Sequence, residues 1–118
     1  MADERPHLTV IEHGAAKEVQ FADRKILDEV SISELGAAIA KLVSSSPGVK
    51  LLLNFKNVEH LSSAALGMLI TVNNQVTHAG GKLRLSNIAP PIFEVFKITR
   101  LDKLFEIHET AGHALDGF

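Results

Sequence analysis

The 118-residue chain contains no cysteine, which removes disulfide staples, thiolate nucleophiles and cysteine-ligated metal at the outset. Tryptophan and tyrosine are also absent, and six phenylalanines leave a poor stacking platform for nucleobases. Neither charge sign dominates, since 12 lysines and arginines stand against 14 acids for a net charge of −2, and the basic residues are scattered. The electrostatic footprint of a nucleic-acid binder is therefore missing. No apolar run approaches the roughly 20 residues that cross a bilayer, and "MADERPHLTV" lacks the basic and apolar regions of a secretory signal. These features predict a cytoplasmic protein with no nucleic-acid partner and no direct membrane insertion.

Several enzyme signatures are missing as well. No G-x-x-x-x-G-K-[ST] or G-x-G-x-x-G occurs to cradle nucleotide phosphates, and "HLSSA" lacks the glycines of a hydrolase nucleophile turn. His60 lies close to the serines of that stretch, but neither a base–orienter pair nor the rest of a triad is legible. The histidines His7, His13, His60, His78, His108 and His113 include no H-E-x-x-H pair, and they read as surface residues. The chain is expected to be no enzyme and to need no cofactor or metal of its own.

What is present is the composition of one soluble globule, with 46% hydrophobic and 22% charged residues over a length that suits a single domain, 1–118. His7–Glu12 and Lys17–Phe21 read as a hairpin turning at "HGAA". "SISE" has capping-box spacing, which predicts a helix beginning at Ser31, with Glu34 reaching back to the cap. Its apolar positions Ile32, Leu35, Ile39 and Leu42 recur at helical spacing until "SSSPG" stops it. Val49–Phe55 is a continuous apolar run, the pattern of a central strand covered on both faces. A second helix follows over Ser63–Ala79, then a strand over Lys82–Ser86, a short helix after Pro90 and Pro91, and a last strand over Leu104–Ile107. "ETAGHALDGF" reads as a frayed terminal helix interrupted by Gly112. Helices that repeatedly connect strands predict an α/β fold with parallel later strands and right-handed crossovers.

The stretch "HLSSAALGMLI" carries the one feature that invites a function. On a wheel of about 100° per residue, Ser63, Gly67, Thr71, Asn74 and His78 share the side opposite the apolar stripe of Ala65, Leu69, Val72 and Val76. Ser62 projects toward the apolar side and is expected to be the buried cap, while Ser63 faces water at the helix start. The exposed stripe has no long charged side chain and is flanked by Ala64, Met68 and Ile70, so a partner could approach closely. A phosphate on Ser63 would suit the helix terminus itself and disrupt a partner fitted to a neutral hydroxyl. On these residues alone, a plain helix cap and a reversible switch both remain open.

The strand "LLLNF", the loop and "LSSAALG" resemble the core motif of STAS domains in bacterial anti-sigma factor antagonists. "ILDEVSISEL", "AGGKLRL" and "ITRLDKLFEI" resemble further family segments, so the likeness runs along nearly the whole chain. Ser62 replaces the family's acid before the phosphoacceptor, Ala65 replaces the following glycine, and Asn54 stands where the strand often ends in Asp. The resemblance implies a mixed sheet of four to five strands with crossover helices mainly on one face. It places Ser63 on the phosphorylatable serine and Asp28 on a loop aspartate beside it. It also implies a partner face of Asp28, Ser62, Ser63, Ala64, Gly67, Met68 and Thr71. The implied partners are an anti-sigma factor with serine kinase activity, which would bring its own ATP and magnesium, and a phosphatase. Two other functions fit the same fold: an adaptor subunit of an ABC-type transport complex, and a small-ligand-binding regulatory module.

Overall fold

The computed structural model describes residues 2–5 and 7–118, with side chains from residue 7 onward. A six-stranded sheet has the order β1-β2-β3-β5-β7-β8, built from Ala2–Arg5 (β1), Leu8–His13 (β2), Ala16–Phe21 (β3), Lys50–Asn54 (β5), Lys82–Ser86 (β7) and Glu106–His108 (β8). A separate two-stranded ribbon pairs Lys25–Ile26 (β4) with His60–Leu61 (β6). The helices are Glu29–Ser45 (α1), Ser63–His78 (α2), Pro90–Ile98 (α3) and Ala111–Leu115 (α4). The three strands at the N-terminal side pair antiparallel, whereas β3, β5, β7 and β8 run parallel. The α/β class and the mixed sheet agree with the expectation, and β1 widens the sheet to six strands.

The parallel half follows from its sequence. Leu51 and Leu53 of β5, Val19 of β3 and Leu85 of β7 join one core cluster with Leu35 and Ile39 of α1 and Leu69 and Val72 of α2. Leu52 points the other way and is fully buried too, because α4 lies against β5, β7 and β8 on the second face. Arg84 fixes that helix, donating to the carbonyls of Ala114 at 2.8 Å and Asp116 at 3.1 Å. An apolar run at consecutive positions is what a strand with both faces covered requires.

Two boundaries depart from the sequence reading by more than one residue. Helix α1 does not begin with a cap at Ser31; Asp28 is its N-cap, with Oδ2 accepting from the Ser31 backbone N–H at 2.9 Å. Aspartate is as good an N-cap as serine, and the cap one turn earlier lengthens the helix. Glu34 consequently does not close a capping box, and its carboxylate instead meets the His7 ring at 3.2 Å. The last strand begins at Glu106, because Leu101–Lys103 form a 3-10 turn entered through Arg100 at φ 63°. The terminal helix α4 runs through Gly112 with Thr110 as its cap.

On the second face, Glu18 is a buried carboxylate that accepts from His13 (2.7 Å), Gln20 (2.9 Å) and Asn54 (2.8 Å). Burial pushes its pKa up, but the hydrogen bonds from Gln20, Asn54 and His13 outweigh it and hold the group below its ordinary value. A depressed folded-state pKa stabilises the fold above the unfolded value and loses that contribution as pH falls through the folded one. Urea midpoints taken between pH 7 and pH 3 are therefore expected to fall less steeply for Glu18→Gln than for the wild type.

Candidate functional site

The β4–β6 ribbon sets the geometry of the site. Ile26 pairs with Leu61 in parallel register, and the Ser62 N–H donates to the Ile26 carbonyl at 3.1 Å. Asp28 lies two residues beyond one strand and Ser63 two beyond the other, so α1 and α2 start side by side and pack along their length. Two-residue strands are too short to leave a periodic signal, which is why the sequence did not reveal this tether.

Each helix start carries a side-chain cap. Ser62 is the N-cap of α2, its hydroxyl accepting from the Ala65 N–H at 3.2 Å. Ser62 is half-buried, less covered than the buried cap expected from the wheel, but its capping bond makes it the structural serine. Ser62→Ala is expected to cost about 1 kcal/mol of folding stability, measured by urea unfolding, because the donor loses its acceptor. At Asp28 the Ser31 backbone N–H holds the carboxyl below its ordinary pKa. That cap contributes above the ordinary carboxylate range and is lost as the medium turns acid.

Ser63 is the first residue of α2 and is exposed, and its hydroxyl has no hydrogen-bond partner among the described residues. The unbonded N–H groups of the first helical turn and the positive end of the helix dipole lie beside it. Gly67, Thr71, Asn74 and His78 are exposed along the same side of the helix, as the wheel predicts. No bond joins the His60 ring to either serine among the described residues, so the nucleophile–base contact is not formed.

The remaining residues of the expected partner face divide between two environments. Ala64, Met68 and Thr71 line a groove of about 380 Å³ between α1 and α2, opposite Gly36, Ala37 and Ala40. Gly36 permits that approach, since a Cβ there would lie 3.2 Å from the Met68 Cγ. Gly67 is different: a Cβ on it would meet nothing within 4 Å. A mid-helix glycine costs about 1 kcal/mol relative to alanine, and the packing of this domain does not require it. Exposed apolar side chains around Asp28 escaped the sequence reading; Leu27 is 49% exposed and Val30 is 67% exposed.

Comparison with known proteins places this arrangement. Residues 17–114 match the model of the STAS domain. The chain belongs to the STAS domain family. A Thermotoga neapolitana protein carrying the name of an anti-sigma factor antagonist is 31% identical over 67 residues, which cover 57% of this chain and 59% of that relative. Among solved structures, an anti-sigma-factor antagonist (STAS) domain protein from Planctomyces limnophilus superposes with a TM-score of 0.83 at 17% identity, over 92% of this chain and 94% of that one. The phosphorylated form of the Bacillus cell fate determinant SpoIIAA superposes with a TM-score of 0.70 at 14% identity, over 92% of this chain and 96% of that one. This STAS domain thus shares its fold with both, and no helix among its described residues is long and apolar enough to cross a membrane.

Proposed function

We propose that this STAS domain is an anti-sigma factor antagonist that acts by partner exchange, binding rather than catalysing. In the unmodified state, the face around Ser63 and Asp28, continued by Ala64, Gly67, Met68 and Thr71, docks an anti-sigma factor with serine kinase activity. That capture frees a sigma factor. Transfer of phosphate from the kinase's ATP to Ser63 ends the capture, and a separate phosphatase restores it. All of these steps place the domain in the cytoplasm.

The observation that carries this reading is the exposed Ser63 hydroxyl at the mouth of α2, unpartnered among the described residues and held beside the Asp28 cap by the β4–β6 ribbon. A phosphate of roughly −2 charge is stabilised there by the helix terminus, so the domain stays folded in both states. Gly67, one turn further along the exposed side, supports the same reading, because close approach of a partner backbone is a use for a glycine that the fold does not need. Gly67→Ala is accordingly expected to raise folding stability by about 1 kcal/mol in urea while weakening partner capture.

The direct test is phosphorylation. Incubation with the serine kinases of the same genome and ATP, followed by mass spectrometric mapping, is expected to find phosphate on Ser63. Modification confined to other residues, or none with any of those kinases, would overturn the assignment.

A further inference from the structure

Beside the serine pair lies a second cavity that the switch does not use. It measures about 400 Å³, within the range of small-molecule sites, and is walled by Leu27, Leu61, Leu66, Pro91, Ile92 and Val95. Leu27 and Val95 are 49% and 41% exposed, so the domain leaves two large aliphatic side chains on the cavity walls in contact with water. Neither a phenylalanine ring nor a hydroxyl lines the cavity among the described residues, and its walls are aliphatic apart from the polar end.

The polar groups lie together and favour one charge sign. Lys25, Glu59 and His60 complete the lining. The Arg24 guanidinium binds the Glu59 carboxylate, and that pair is neutral as a unit. Lys25 and His60 stand opposite each other in the β4–β6 register, and neither forms an ion pair among the described residues. An aliphatic pocket with one ammonium and one imidazole at its polar end complements a ligand with a saturated chain and a single anionic head.

The geometry points to a binding site for a straight-chain aliphatic carboxylate, with its chain between Leu27, Leu66 and Val95 and its carboxylate at Lys25 and His60. Neither Ser63 nor Asp28 belongs to this site, and it stands whether or not Ser63 is modified. Burial of the chain supplies affinity in proportion to the apolar area covered, and the charge-assisted hydrogen bonds select the head group.

The test is a titration of the full chain with sodium decanoate below its micellar concentration, followed through the methyl resonances. Saturable shifts are expected at Leu27, Leu61, Ile92 and Val95. Lys25→Gln, at an exposed position, is expected to weaken decanoate about tenfold and leave 1-decanol unchanged, which isolates the carboxylate contact. Val95→Asp, also exposed, is expected to abolish both, with the melting temperature of each variant verifying the fold. The proposal fails if decanoate produces no saturable shift, or if Lys25→Gln weakens acid and alcohol alike. Shifts of the same methyls with the anti-sigma partner but not with decanoate would assign the cavity to a protein side chain and overturn it equally.

Discussion

Replacing Ser63 with glutamate is expected to weaken capture of the anti-sigma factor by roughly 100-fold, about 3 kcal/mol, while leaving the domain slightly more stable than the wild type. The two halves of that result come from the same location. At the first position of α2 a carboxylate lies against unbonded N–H groups and the positive end of the helix dipole, an arrangement that stabilises a helix by about 0.3–1 kcal/mol. On the partner's side the same charge must be desolvated against a surface shaped for a hydroxyl, and an unpaired buried charge costs about 2–5 kcal/mol. Folding and binding therefore move in opposite directions.

The neighbouring serine supplies the control. Ser62 is the cap, so Ser62→Ala is expected to lower the urea midpoint with little effect on capture, whereas Ser63→Ala should retain both capture and stability but accept no phosphate. Calorimetric titration against the kinase that modifies the wild-type protein measures the first quantity, and urea unfolding measures the second. Capture by Ser63→Glu at wild-type affinity would remove the switch, because no other exposed hydroxyl stands at the start of α2.

The difference between the serines was legible in sequence because a helix turns about 100° per residue, and adjacent positions at its start cannot share an environment. The central strand was legible for a similar reason: Leu51, Leu52 and Leu53 leave no polar side to turn toward water, and both faces are covered. The nearness of Asp28 to Ser63 came from family resemblance and from no local pattern. Its cause is a two-residue ribbon linking segments 35 positions apart, Lys25 with His60 and Ile26 with Leu61. The start of α1 was misplaced because "SISE" satisfies the capping-box rule while Asp28, one turn earlier, satisfies the simpler N-cap rule. Local chemistry alone did not rank them; the ribbon, which ends at Ile26 and turns the chain at once into α1, favours the earlier cap. The cavity walled by Leu27, Leu61, Leu66 and Val95 was likewise invisible, since its walls come from segments far apart in sequence: the link before α1, then β6, α2 and α3.

The adjacent glycines after α2 are expected to respond very differently to alanine. Gly80 takes φ 75°, the left-handed conformation that ends the helix, and a Cβ there would meet nothing within 4 Å. Gly80→Ala therefore pays only the backbone strain, about 1 kcal/mol, and asparagine, which tolerates that conformation, should cost less. At Gly81 the backbone conformation is ordinary and space is the constraint: a Cβ would lie 2.2 Å from the Val49 carbonyl oxygen. That oxygen accepts from the Lys82 N–H at 3.0 Å, and the Gly81 N–H donates to the Val76 carbonyl at 2.9 Å. Relief of the clash must break one of these bonds, and with them the point where β5 and β7 begin to pair and α2 is joined to the sheet. Gly81→Ala is expected to cost about 3 kcal/mol or more, a fall of roughly 10 °C or more in melting temperature for a chain of this size. Equal losses at the two positions in urea unfolding would mean that the close approach of Gly81 to Val49 contributes nothing, and that the helix terminus alone governs this junction.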